Sequence, residues 1–234
     1  MLAAVAPFFF FVAFLLLLLV SLSVPIIKPI YLFHLVGHET SSLYTATGSA
    51  WFGVWGYCIS PVDVSVLGNS VDTSASCSKA QLGYDLNQNI LTEIGASALH
   101  LNTSTISKAT SAVLVLHPIA TGFAFLALVS SLFAIHRRTG NGLSRGASLI
   151  TLITGSLAAL LTTVVFLIDV IFVAVIRHRV RSESDGEFTL NWGNAVWMAL
   201  GATIALWIAL VGVSADICCG RRYRCGDCLQ TSVR

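Results

Sequence analysis

Four apolar stretches, each long enough to cross a bilayer, constrain this chain more than any other feature. Roughly 20 consecutive apolar residues span the hydrocarbon core as a helix. The first stretch runs from Leu2 to Val24 and stops at Pro25. The second lies between Lys108 and Arg137, the third runs from Ala147 to Ile176, and the fourth from Trp192 to Ala215. None alternates apolar and polar residues as a barrel strand does. A helix satisfies its own backbone hydrogen bonds in lipid, so helices are expected. Composition agrees: 56% of residues are hydrophobic and 10% charged, where a soluble domain carries about 25% charged residues.

The expected fold class is an all-α membrane protein, a four-helix transmembrane bundle carrying a small extracellular β-sheet. Its segments are a first transmembrane helix (1–24), an extracellular loop (25–110), a second helix (111–135) and a connector (136–146). A third helix (147–176), a short extracellular loop (177–191), a fourth helix (192–215) and a Cys/Arg tail (216–234) follow. The first stretch lacks the basic n-region of a signal peptide and exceeds a typical h-region, so it reads as a retained anchor. Ser21-Leu22-Ser23 leaves a cleavage site as the alternative.

Orientation follows lysine and arginine in the short loops. The second connector holds Arg137, Arg138 and Arg145 with no acid, and the tail holds Arg221, Arg222, Arg224 and Arg234. Both belong in the cytosol, together with the N-terminus. Arg177, Arg179 and Arg181 then fall on the outer side, against the rule, with Glu183, Asp185 and Glu187 beside them.

The first loop reads as β-type runs over Ser49 to Ile59 and Val62 to Leu67, with a turn at Gly68-Asn69 and a helix within Leu82 to His100. Cys58 and Cys77 are its only cysteines. In an oxidising compartment two loop thiols pair, worth about 3 kcal/mol by the chain-entropy account. Two free buried cysteines are the alternative. Asn102-Thr103-Ser104 is an N-glycosylation sequon close to the second span.

Two intramembrane polar groups stand out. Asp169 is expensive to hold in lipid, and its expected role is to pin the bundle through Thr162, Thr163 or His117. Partner binding or a response to protonation is the sharper alternative. His117 precedes Pro118, which is expected to kink the second helix and free a carbonyl. His34, His38 and His100 are scattered loop histidines. Gly155, Ser156, Ala158 and Ala159 in the third span, and Gly201, Ala202 and Ala205 in the fourth, permit close helix packing within the chain.

In the tail, Cys218-Cys219 beside arginines suits S-palmitoylation and anionic-lipid contact. Zinc held with Cys225 and Cys228 is the alternative, on poor spacing. The sequence contains no HExxH or phosphate-loop motif. The chain is therefore expected to be non-enzymatic, with no cofactor and no metal. Net charge is only +2, and no basic, aromatic-interleaved patch points to nucleic acid.

Trp51 and Gly53-Val54-Trp55-Gly56-Tyr57-Cys58, followed by Cys77, are similar to the G-L-W-x-x-C…C signature of claudin-like tetraspans. With Gly83-Tyr84-Asp85, His117-Pro118, Asp169 in Phe166 to Val170, and Asn191-Trp192-Gly193, the ordered set resembles the fungal PalI family. The resemblance covers nearly the whole chain. It implies a claudin-like fold and a multi-pass plasma-membrane protein of the ambient-pH response. Such a protein would meet membrane lipids and assist a separate multi-span pH sensor. A structural organiser of a cortical membrane domain or cell contact is the alternative. A small transporter, motivated by Asp169, is a third.

Overall fold

A computed structural model of the chain describes residues 5–40, 44–61, 63–66, 69–72, 75–80, 103–140, 145–183 and 188–231. In chain order the elements are α1 (Val5–Ser21), β1 (Phe33–Thr40), β2 (Tyr44–Phe52), β3 (Tyr57–Ile59), β4 (Asp63–Val66), β5 (Asn69–Asp72) and β6 (Ser76–Cys77). Then come α2 (Thr103–Gly140), α3 (Arg145–Glu183), β7 (Phe188–Trp192) and α4 (Asn194–Thr231).

Among the described residues three helical stretches are long and apolar enough to cross a membrane: Val115–His136, Ser148–Ser182 and Asn194–Ala215. The chain is a membrane protein. The first apolar stretch is described only from Val5 onward. Its described helix has 17 residues, about 25 Å at 1.5 Å per residue against a core of about 30 Å. The chain leaves the helix at Ser21 because the next residues turn. Ser23 N–H donates to the Val20 carbonyl and Ile26 N–H to the Ser23 carbonyl, with Pro25 between them.

The chain divides into two compact units. The first comprises Met1–Leu17, Ile119–Val164 and Leu200–Arg234. Its core is built from Phe10, Ala13 and Leu17 of α1, Ala124 and Ala127 of α2, Ala158 and Ala159 of α3, and Ala202, Ala205, Leu206 and Ala209 of α4. Small residues let helix backbones approach closely, which favours packing where lipid removes the hydrophobic driving force. A Cβ on Gly155 would lie 2.9 Å from the Phe10 ring and 3.1 Å from Leu210. The large apolar residues face outward instead: Phe133, Ile153, Leu160 and Val211 are all more than half exposed. This is the reverse of a soluble surface and suits hydrocarbon.

The second unit comprises Leu18–Pro118 and Val165–Ala199. It holds an antiparallel sheet of seven strands among the described residues, ordered β5-β4-β2-β1-β7, with β3 beside β2 and β6 beside β3. Phe33, Leu35, Ala50, Phe52 and Leu190 make its inner face. That face packs on Val20 of α1, Val173, Ile176 and Val180 of α3, and Ala195 and Val196 of α4. Phe33 stacks on Phe52 with centroids 4.6 Å apart and meets Phe172 at 6.1 Å. The sheet is thus a cap seated on helix ends.

Several boundaries shift. The run from Ser49 to Ile59 is two strands, because Gly53 to Gly56 turns between them. Phe33–Thr40 is a strand that the loop reading omitted. Residues 188–192, expected as loop and as the start of the fourth span, form β7. Phe188 and Leu190 are buried while Thr189 and Asn191 are exposed, the period of two that a half-buried strand requires. β7 pairs with β1 from Phe33↔Trp192 to Gly37↔Phe188. α2 continues through Pro118 without interruption, α3 runs on to Glu183, and α4 runs on to Thr231, so part of the expected tail is helical. The expected helix within Leu82 to His100 lies outside the described residues.

Candidate functional site

The recognised motif residues act as clasps between the cap and the helix ends. Gly53 N–H donates to the Gly56 carbonyl at 2.8 Å and closes the β2–β3 turn. Inside that turn Val54 N–H donates to the Ser23 hydroxyl at 2.9 Å, and Trp55 N–H donates to the Val24 carbonyl at 3.3 Å. The Trp55 indole N–H donates to the Ser21 carbonyl, one of the orphan acceptors left at the end of α1. A Cβ on Gly53 would fall on the Val24 backbone, 2.7 Å from its nitrogen, so only glycine fits this close approach.

Beside the turn, Tyr57 N–H donates to the Ser78 hydroxyl at 3.0 Å and Ser78 N–H returns to the Tyr57 carbonyl at 2.9 Å. Cys58 and Cys77 are direct cross-strand partners and are joined by a disulfide across a separation of 19 residues. Of the two readings open for these thiols, the structure has the pair bonded.

A second clasp lies at the start of α4. Gly193 N–H donates to the Leu32 carbonyl at 2.9 Å, and Ala195 N–H to the Tyr31 carbonyl at 3.1 Å. The Asn194 side chain accepts from Tyr31 N–H at 3.1 Å and donates to the Pro29 carbonyl at 2.7 Å. A Cβ on Gly193 would overlap the Tyr31 and Leu32 backbone.

Outward of the sheet, β1, β2, β3 and β6 place His34, Trp51, Cys58 and Cys77 in one cross-strand row. His34 stacks on Trp51, centroids 5.0 Å apart and planes 3° apart, with Tyr31 edge-on at 6.0 Å. Its Nε2 is buried without a hydrogen-bond partner among the described residues. Burial holds the imidazole below its ordinary value of 6.5.

The two intramembrane polar residues meet each other. His117 Nε2 and Asp169 Oδ2 are 3.0 Å apart, at 1% and 2% exposure. Of the three partners weighed for Asp169, histidine is the one engaged. Thr162 and Thr163 turn their hydroxyls back to the Ala158 and Ala159 carbonyls at 2.8 Å and 2.7 Å. Either the imidazole or the carboxyl supplies the proton between them. The pair joins α2 to α3 and gives each of two groups that are costly to hold in lipid a partner.

Gly83, Tyr84, Asp85 and Asn102 lie outside the described residues, and Cys218 and Cys219 lie on the last part of α4. Among the described residues no three His, Cys, Asp or Glu side chains gather to hold a metal ion. Sequence reasoning weighed Ser21 and Ser23 only as a cleavage site and passed over Ser78 and Asn194. Asn194 alone carried a signal, standing as the N-terminal residue of an apolar helix.

Comparison with known proteins bears on the motif set. The model of the SUR7/PalI family matches residues 2–209. Over 213 residues the chain is 30% identical to the pH-response regulator protein palI/RIM9 of Yarrowia lipolytica (strain CLIB 122 / E 150), an alignment covering 90% of this chain. It spans 22% of the length of that relative. With the Gly53–Cys58 turn, the Cys58–Cys77 disulfide and the Gly193 clasp all inside the matched span, the chain belongs to the SUR7/PalI family.

Proposed function

We propose that this chain is a non-enzymatic plasma-membrane protein of ambient-pH signalling that assists a separate multi-span sensor. The observation that carries the reading is the kinship with a pH-response regulator over 90% of the chain. The geometry supports a positioning role rather than a reactive one. Among the described residues, polar groups such as Ser23, Asn194, His117 and Asp169 are engaged in clasps between cap and helices or between helices.

In this reading all four helices cross, both termini are cytosolic and the cap is extracellular, as in claudin-like folds. The β1–β7 pairing supports it, because the segment after α1 and the connector after α3 share one sheet and hence one side. The disulfide supports assigning that side to an oxidising compartment. Asn102 glycosylation and Cys218/Cys219 palmitoylation belong to the same arrangement.

A deletion strain grown over a pH series, with the sensor fluorescently tagged, tests the proposal. Loss of alkaline growth together with loss of the sensor from the plasma membrane is expected. Normal growth with the sensor in place contradicts it. The second reading, an organiser of a cortical membrane domain or cell contact, draws on the Trp55 and Cys58–Cys77 arrangement shared with claudin-like proteins. Static cortical patches of the tagged chain that persist without the sensor would favour it.

A further inference from the structure

The outer arc of α3 changes character within one turn. Leu167, Ile171 and Val175, at 50%, 61% and 52% exposure, follow one another at helical spacing along one face. Ala174 is exposed among them. The next exposed positions on that face are His178 and Arg181, with Arg177 one turn before Arg181. On the opposite side of the same turns Val173, Ile176 and Val180 stay buried against the cap. The helix thus keeps its inner contact to the sheet while its outer surface passes from apolar to cationic.

The apolar stretch Ser148–Ser182 has 35 residues, about 52 Å of helix at 1.5 Å per residue, against a hydrocarbon core of about 30 Å. Its last turns must therefore leave the hydrocarbon. The change from Val175 to Arg177 and His178 marks where they do, at headgroup depth. Among the described residues neither Arg177 nor Arg181 has a carboxylate at ion-pair distance. The cluster also gains nothing from the insertion rule, which favours arginine on the opposite side. These arginines therefore have no counter-charge among the described groups, at a depth where lipid phosphates lie.

We infer that Arg177 and Arg181, with His178 between them, form a binding surface for anionic phospholipid headgroups, whose phosphate charge no choline offsets, in the leaflet on the cap side. Guanidinium groups pair phosphate oxygens through two parallel N–H donors. Their aliphatic stems lie along the apolar surface below while the heads reach the phosphate layer. Such lipids would attach the cap to its membrane surface directly through α3. Beyond the palI-like role, the inference takes from the proposed topology only the side on which the cap lies.

The test uses the full chain in mild detergent, titrated separately with phosphatidylinositol, phosphatidylcholine and soluble glycerophosphoinositol, with retained lipid counted by native mass spectrometry. Arg177→Gln/Arg181→Gln is expected to weaken phosphatidylinositol retention about tenfold or more, the scale of two interfacial cations. Arg177→Lys/Arg181→Lys should keep most of it, and phosphatidylcholine retention should not change. Arg137→Gln/Arg138→Gln reports the sites at the other helix ends and should leave the loss at Arg177 and Arg181 intact. Unchanged phosphatidylinositol retention in Arg177→Gln/Arg181→Gln overturns the inference. So does an equal loss of phosphatidylcholine, or soluble headgroup binding as tightly as the lipid. Because no readout depends on pH signalling, a negative result here leaves the proposed function standing, and a failed pH phenotype leaves this inference standing.

Discussion

The indole N–H of Trp55, in the turn between two strands of the cap, donates to the carbonyl of Ser21 at the end of α1. That carbonyl has no helical partner, so the bond satisfies an orphan acceptor and ties a loop residue to a helix 34 positions earlier. Trp55→Phe keeps most of the ring and deletes the donor. It is expected to cost about 1–3 kcal/mol, the desolvation of an unpaired carbonyl. Trp55→Ala should cost about 3–5 kcal/mol. Melting curves in lipid nanodiscs distinguish the two, and equal effects would mean that packing alone holds this contact.

The His117–Asp169 pair is expected to behave as one unit. Removing either partner strips this bond from a buried polar group, so His117→Ala or Asp169→Ala should each cost about 3–5 kcal/mol. The double replacement His117→Leu/Asp169→Leu should recover part of that loss, since an apolar pair leaves nothing unsatisfied. A double-mutant cycle with coupling below about 0.5 kcal/mol would show that the two act independently.

Glycine at 193 and at 53 is required by backbone approach. Gly193→Ala would drive a Cβ into the Tyr31–Leu32 backbone, and Gly53→Ala into that of Val24. Overpacking of this kind costs about 1–3 kcal/mol or more. Gly122, with nothing within 4 Å of its Cβ position, is the internal control. Gly122→Ala should be neutral or slightly stabilising in the same melting assay, and a loss matching Gly193→Ala would contradict the geometric account.

His34 sets a pH dependence with a definite sign. Its folded pKa lies below 6.5 because burial disfavours the charged ring. Between that lowered value and 6.5 the unfolded chain binds more protons, so stability is full above 6.5 and falls as pH drops through the folded value. His34→Gln should flatten this part of the stability curve. Stability that instead rises on acidification in the native chain, and loses that rise in His34→Gln, would reverse the assignment.

Cys58→Ser should remove about 2–4 kcal/mol and change the mobility of the chain on non-reducing gels. Cys77→Ser should match it, and the double replacement should be no worse than either alone. Additive losses would mean that the thiols contribute separately.

The helices were legible because apolar runs of bilayer length have few other uses, Cys58 and Cys77 because they are the only cysteines of a loop placed in an oxidising compartment, and Trp55 through the family resemblance. The strands were less so. In Phe33–Thr40 a stacking histidine and a valine occupy the outer face, so the alternation that marks a half-buried strand is blurred. Phe188–Trp192 has clean alternation over only five residues, and it abuts an apolar helix that absorbed its last, Trp192. The clasp of Asn194 on Pro29 and Tyr31 joins residues 165 and 163 positions apart, a distance at which local pattern carries no signal. Asp169 announced itself by its cost in lipid, but its choice of His117 over the threonines depends on how α2 and α3 face each other.

The most direct test of the central claim, a cap on one side of the membrane with basic connector and tail on the other, is antibody access to short epitope tags in intact cells. One tag follows Lys79 and the other follows the C-terminus. The account predicts that the Lys79 tag is stained without permeabilisation and the C-terminal tag only after it. Staining of the C-terminal tag in intact cells, with the Lys79 tag protected, would contradict it.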